Sequence, residues 1–301
     1  MDTRALEFIA TREDLANYHQ LGGYLYSSGI CRSDTYRDIW QKQFVQNEAT
    51  IRFLAGFDDA LAGLGIFPVL LKGASLLDTV YTDLGRRALH DVDLFVVQRE
   101  VPALRAFLLA QGFAEFRETH WQTAGYATSF VRGNMALDIH QGKIFCDEPA
   151  GNWKFRPHPK WKALQILSAE DQLVHLAGHW GFQNGGRRLY SLFDMMHSWG
   201  YEDICLETLF QSAREKKRLT PLLAAFSALS RVFSWSPENL AIKKRFPLLS
   251  KKYLLEPSRH PFQYLVIKNF MYDSWHDALG NDAQWIKHYF ARKRDASFTK
   301  T

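Results

Sequence analysis

His90-Asp91-Val92-Asp93-Leu94 sets two carboxylates two residues apart inside an apolar run. On a β-strand such residues point to the same face, with Cα atoms about 6.6 Å apart. From there two side chains can converge on a pair of divalent cations. Val92, Leu94 and Val96 then face the other way and anchor the strand in a core. Two like charges in an apolar strand are costly unless a cation compensates them, although Asp-x-Asp alone fits a solvated strand edge equally well. Leu137-Asp138-Ile139-His140 puts Asp138 and His140 together on one face of a second strand. A third carboxylate on a neighbouring strand is what two-metal phosphoryl transfer needs: the ions stabilise the attacking and leaving oxygens, and the third carboxylate serves as ligand or base. Upstream, Val69-Leu70-Leu71-Lys72-Gly73-Ala74-Ser75 reads as an apolar strand, a glycine turn and a helix start. Backbone N–H groups at such a place bind phosphate, and glycine lets the backbone approach the ligand. A simple strand-to-helix turn carries the same pattern.

The elements that must position these groups follow from periodicity. Residues 4–20 and 34–63 read as helical, the second with Phe53, Leu54, Phe57 and Leu61 at helical spacing and glycines at its end. Phe67–Leu71 reads as a short buried strand and Ser75 to Tyr81 as a helix. Residues 89–97 read as a strand and Val101–Gln111 as a helix stopped by Gly112. Residues 126–131 and 135–140 read as a hairpin around Gly133-Asn134. After Pro157 and Pro159 the pattern becomes helical to the end, opening on the capping box of Ser168-Ala-Glu-Asp171, with no convincing strand. The expected fold is α+β: an N-terminal helical extension over 1–48, a small mixed-sheet core over 49–158, and a mostly helical C-terminal domain over 159–301.

The order LLKG-A-S, then Tyr81…Arg87-x-x-x-Asp91-Val-Asp93-Leu, then Leu137-Asp138-Ile-His140 resembles the nucleotidyltransferase superfamily related to DNA polymerase β. It is most similar to the bacterial group labelled uncharacterised nucleotidyltransferases. That group also carries a helix like Leu167-Ser168-Ala-Glu-Asp171…His175…His179-Trp180 and a segment like Leu189-Tyr-Ser-Leu-Phe-Asp194. The resemblance spans about residues 50–200. It implies that Asp91, Asp93 and Asp138 are catalytic and bind Mg²⁺, two ions with Mn²⁺ as substitute. It implies nucleotide contacts from Lys72, Gly73, Ala74, Ser75, Arg87 and His140. The wider superfamily places a serine directly after the motif glycine; here Ala74 follows and Ser75 comes one later. The implied reaction moves a nucleoside monophosphate from an NTP, ATP first among them, to an acceptor hydroxyl of a small molecule, protein or RNA, releasing pyrophosphate.

Composition bounds these readings. The chain has 301 residues, 47% hydrophobic and 23% charged, with net charge +5, which is ordinary for a globular protein. No apolar run is long enough to span a membrane, and charges interrupt the N-terminus too early for a secretory signal. Cys31, Cys146 and Cys205 form neither a zinc spacing nor a disulfide framework, so the expected compartment is the cytoplasm. Residues 211–301 hold 17 Lys+Arg against 7 Asp+Glu, a balance of +10 against −5 for the rest. The clusters Arg214–Arg218, Lys243–Arg245, Lys251-Lys252 and Arg292–Arg294 fit solvated helix faces, or an RNA acceptor such as tRNA, whose binding would be salt-sensitive. His175 and His179 share a helix face at a spacing that can bind zinc, with no third ligand evident, and packing or lining a cleft fits better. Trp153, Trp161, Trp180 and Trp199 read as core. Two further alternatives remain: an Asp-x-Asp glycosyltransferase, recognised by protection with UDP-sugars, and a non-catalytic nucleotide- or RNA-binding module that needs no Mg²⁺.

Overall fold

The computed structural model describes residues 3–77, 79–116, 127–145, 152–237, 246–274 and 278–279. The chain opens with short helices α1 (Arg4–Ala10), α2 (Glu13–Tyr18) and α3 (Gly22–Ser27). The 31-residue helix α4 (Asp34–Leu64) follows, capped by the Ser33 hydroxyl and ended by Gly65 at φ +67°. A left-handed C-terminal residue of this kind is where glycine carries no Cβ penalty. The segment read as one helix over 4–20 is thus two, and α4 runs unbroken across position 48.

Among the described residues seven strands form one mixed sheet: β1 (Val69–Leu70), β2 (Val92–Val96), β3 (Ala114–Phe116), β4 (Ala127–Arg132), β5 (Met135–Gln141), β6 (Phe155–Pro157) and β7 (Gln165–Leu167). Their order is β3-β4-β5-β2-β1-β7-β6. β2 runs parallel to β5 and antiparallel to β1, and β1 runs parallel to β7. β4 and β5 form the expected hairpin, with Gly133 at φ +57°. β7 corrects the expectation of no strand beyond Pro159. Three residues carry too little alternation to be read as a strand; their pairing to β1 makes them one.

Between β2 and β3 lies α5 (Val101–Ala110), ended at Gln111 and followed by Gly112 at φ +81°. The second half holds α6 (Ala169–Gly178), a π-helical turn over His179–Gln183, α7 (Leu189–Tyr201), α8 (Leu206–Glu215), α9 (Leu219–Phe233), α10 (Lys251–Leu255) and α11 (Pro261–Phe270). Ser168 caps α6 by accepting from the Asp171 amide at 3.3 Å, as its capping box predicts.

The expected helix from Ser75 to Tyr81 does not form. Turns span the described residues of 72–80, with Leu77 and Tyr81 in an isolated bridge. The Ser75 hydroxyl donates back to the Lys72 carbonyl at 2.7 Å, and Thr79 Oγ1 donates to the Ser75 carbonyl at 3.0 Å. The backbone bonds mix spans: the Leu76 and Leu77 N–H groups share the Gly73 carbonyl, and those of Val80 and Tyr81 share the Leu76 carbonyl, so no regular ladder builds.

The sheet separates two apolar cores. Leu70, Val92, Leu94, Val96, Leu137 and Ile139 pack with Leu54, Phe57 and Leu61 of α4 and Leu104 and Leu108 of α5. On the other face Val69, Leu71 and Phe95 join a larger core shared by Leu6, Ile9 and Leu25 with Leu173, Phe193 and Phe226. The N-terminal helices therefore pack with the C-terminal ones, and β7 brings residues beyond 158 into the sheet. Trp153 and Trp180 are buried in this core, and Trp161 stacks on His158 with ring centroids 4.0 Å apart.

Candidate active site

Parallel pairing of β2 with β5 puts Asp93 directly beside Asp138, and Phe95 beside His140. Neighbouring strands are about 4.8 Å apart, so one register fixes two carboxylates side by side. Asp91 stands two residues upstream of Asp93, just before β2 begins. The intervening Val92 and Leu94 are buried among α4 and α5, which turns the carboxylates toward the helical half.

Asp93 is the best-anchored of the three. Its Oδ1 accepts from Lys72 Nζ at 2.6 Å and lies 3.0 Å from His140 Nε2. The other ring nitrogen of His140 lies 3.2 Å from the Ile144 carbonyl oxygen. Burial opposes ionisation of Asp93, but the Lys72 charge and the contact with His140 outweigh it and hold the carboxyl well below its usual range. Lys72 shows the reciprocal effect. Burial disfavours its charge, yet attraction to Asp93, then Asp91, a hydrogen bond to Asp93, and Asp138 raise its pKa. Asp91 behaves differently: burial first, then repulsion by Asp93 and Asp138, outweigh the pull of Lys72 and push it up to about 6. Asp138 Oδ1 accepts from the Ser129 hydroxyl at 2.6 Å. Three carboxylates and one ammonium are therefore coupled in one place.

The donor chemistry suits a hard divalent cation, which takes oxygen ligands. Asp91, Asp93 and Asp138 could supply them, and Lys72 Nζ stands beside Asp93 as a cation in its own right. Among the described residues no three His, Cys, Asp or Glu side chains close around a metal-sized point as the site stands.

The Lys72-Gly73 turn is held from behind. Lys72 adopts φ +47°. A Cβ at Gly73 would overlap the Arg87 guanidinium, so glycine is required by this close approach. Arg87 itself is committed elsewhere than the sequence suggests. Its Nε and Nη2 donate to Asp194 Oδ1 and Oδ2, both at 2.9 Å, and Nη1 donates to the Ala88 carbonyl at 2.7 Å. The ion pair is 7% and 1% exposed. Tyr81 donates its hydroxyl to Asp194 at 2.9 Å. Ser75, like Ala74, is buried; its oxygen accepts from Gln172 of α6 at 2.9 Å. The structure thus brings Lys72, Asp91, Asp93, Asp138 and His140 together, and places Gly73, Ala74, Ser75 and Arg87 in the turn and its backing. Asp194, Tyr81 and Gln172 join them without having been singled out as site residues. The clue available was the position of Asp194 in the downstream segment of the resemblance.

His175 lies buried, its ring packed near Phe145 and Trp153, with neither nitrogen hydrogen-bonded to another described residue. Burial, aided by the Lys72 charge, lowers it to about 3. The same two causes hold His179 neutral. The basic cluster at Arg214–Arg218 is partly internal. Lys216 pairs with Asp171 at 3.0 Å, both 1% exposed, and the Arg218 guanidinium lies over Phe145 and Phe182. Those two residues serve the core, while Arg214, Lys251 and Lys252 are exposed. Lys243–Arg245, Arg292–Arg294 and Cys146 lie outside the described residues. None of the helices, over the described residues, is long and apolar enough to cross a membrane.

No curated protein matches the chain. Among solved structures it is similar to an antigenic nucleotidyltransferase-like protein from Paracoccidioides brasiliensis, at 18% identity and a TM-score of 0.42, over 61% of this chain and 88% of that one. The model of the family described as uncharacterised nucleotidyltransferase matches residues 13–234. The chain belongs to that family.

Proposed function

We propose that this protein is a Mg²⁺-dependent nucleotidyltransferase that moves a nucleoside monophosphate from an NTP, ATP first among them, to an acceptor hydroxyl and releases pyrophosphate. The observation that carries this reading is the placement of Asp93 beside Asp138 across parallel strands, with Asp91 and Lys72 coupled to both. Asp91, Asp93 and Asp138 would hold the Mg²⁺ ions, which when bound neutralise triphosphate charge and polarise the reacting phosphorus. His140 fixes Asp93, and Ser129 fixes Asp138. Asp138, on β5 and so across β2 from the strand that leads into the turn, would accept the acceptor's proton. The Lys72 ammonium and the backbone N–H groups of the turn offer positive charge to the phosphates. The Arg87–Asp194 pair keeps that turn in place. Most of the rate enhancement then comes from positioning and preorganised charge.

The acceptor sets the remaining question. RNA would have to be met by exposed residues such as Arg214, Lys251 and Lys252, because Lys216 and Arg218 are internal. The test is to incubate protein, Mg²⁺ and α-labelled ATP with total RNA, with protein extract and with small hydroxyl compounds. Asp93→Asn should lower label transfer by at least ~100-fold, the order seen when a charge-stabilising group is lost from an active site. Equal labelling by the two proteins would sink the assignment.

A further inference from the structure

We propose that Lys72 is an exchangeable counter-ion, whose ammonium holds the carboxylate cluster together without metal and gives up Asp93 Oδ1 when a divalent cation binds. The proposal rests on the metal-dependent reading above and adds a competition that the reading does not require.

Three observations carry it. The Lys72 ammonium lies 2.6 Å from Asp93 Oδ1, and the same oxygen also faces His140 Nε2 at 3.0 Å. Those two contacts use both lone pairs of Oδ1, so a metal that takes this oxygen, or both oxygens of Asp93 together, has to displace a partner. His140 is tied at its far side to the Ile144 carbonyl, whereas Lys72 is a flexible four-carbon stem at a turn and 18% exposed. Lysine is the partner that can move.

The second observation is backbone conformation. Lys72 sits at φ +47°, a left-handed region that glycine adopts freely and L side chains rarely do. The side chain kept at this position places its end group on the carboxylates. The third is position. The Lys72 ammonium is drawn to Asp91 and Asp138 as well as to Asp93, so it stands where a cation serving all three carboxylates would stand. Release of Lys72 frees that place and leaves its charge at the mouth of the turn, where the triphosphate is proposed to lie.

The experiment is a Mn²⁺ titration without nucleotide, read by calorimetry and by the spin-resonance signal of free Mn²⁺. It uses the full-length wild type, Lys72→Met, Lys72→Gly and Asp93→Asn. Lys72→Gly relieves the left-handed backbone and is the variant that decides if Lys72→Met fails to fold. Both lysine variants should bind Mn²⁺ at least tenfold more tightly than wild type, and Asp93→Asn should lose binding. If Mn²⁺ binds wild type and the lysine variants equally, or the variants more weakly, the exchange is overturned while the metal-dependent function stands. If none of the proteins binds Mn²⁺, both fall.

Discussion

Asp194 shows how a residue remote in sequence can decide the shape of the site. It neutralises Arg87 from 107 positions away and takes the Tyr81 hydroxyl as well. Burial works against the Arg87 charge, and Asp194 restores it, so the guanidinium stays strongly basic. Removing one partner of such a pair strands a charge, at roughly 3–5 kcal/mol, whereas replacing both with apolar groups is far milder. Asp194→Leu should therefore lower the thermal midpoint sharply, and Arg87→Met with Asp194→Leu should recover at least half of the loss. A double variant no more stable than Asp194→Leu alone would mean that the pair is not the source of the effect. Asp91 and Asp93 were legible in the sequence because their spacing is local and the strand period sets their face, and Asp138 was legible through its own strand and the resemblance. Their register across β2 and β5, and the commitment of Arg87 to Asp194, were not. Both depend on partners brought together only by the fold.

At the scale of elements, the site depends on how α4 fixes the end of the sheet. Asp58, buried in α4, accepts the backbone N–H groups of Ala163 and Leu164 with Oδ1 and of Lys162 with Oδ2, all at 2.8 Å. These amides lead directly into β7, which pairs with β1, the strand that delivers Lys72. A buried N–H without a partner costs about 1–3 kcal/mol, and bonds to a charged acceptor are the stronger class. Asp58→Ala should cost at least about 3 kcal/mol by urea unfolding, with Asp58→Asn in between because it keeps one acceptor oxygen. An Asp58→Ala protein as stable as wild type would show that this loop is held otherwise. This tie is not visible in the sequence, where Asp58 is one polar position within the helix read over 34–63. The same limit explains β7 and the lost helix at 75–81: one is made by pairing, and in the other the backbone N–H groups share the Gly73 and Leu76 carbonyls in place of a regular ladder.

For the whole molecule, the decisive feature is the larger core, which joins the N-terminal helices to the C-terminal ones and buries neutral histidines at the seam. His19 lies 2.9 Å through Nε2 from the Leu255 carbonyl and receives the Leu189 amide on Nδ1 at 3.4 Å, so the neutral Nε2–H tautomer satisfies both contacts. Burial lowers His19 to about 4, and it lowers His197 to about 4 and His175 to about 3. A histidine depressed in the fold contributes stability that is present above its unfolded pKa of about 6.5 and is lost as pH falls toward the folded value. For His19 that window runs from about 6.5 to about 4 and amounts to at most about 3 kcal/mol at 1.36 kcal/mol per unit. Asp91 acts in the opposite sense: its carboxyl, raised to about 6, costs stability above that pH and returns it on acidification. Three histidines outweigh one carboxyl, so the urea midpoint should fall between pH 7.5 and pH 5. His19→Gln should be less stable at pH 7.5 because it gives up the fitted imidazole, yet lose less on the way to pH 5. A drop in His19→Gln as steep as in wild type would remove His19 from the account. A midpoint unchanged in wild type would mean that the seam does not exclude protons, and that the two halves are not joined by a core of neutral imidazoles.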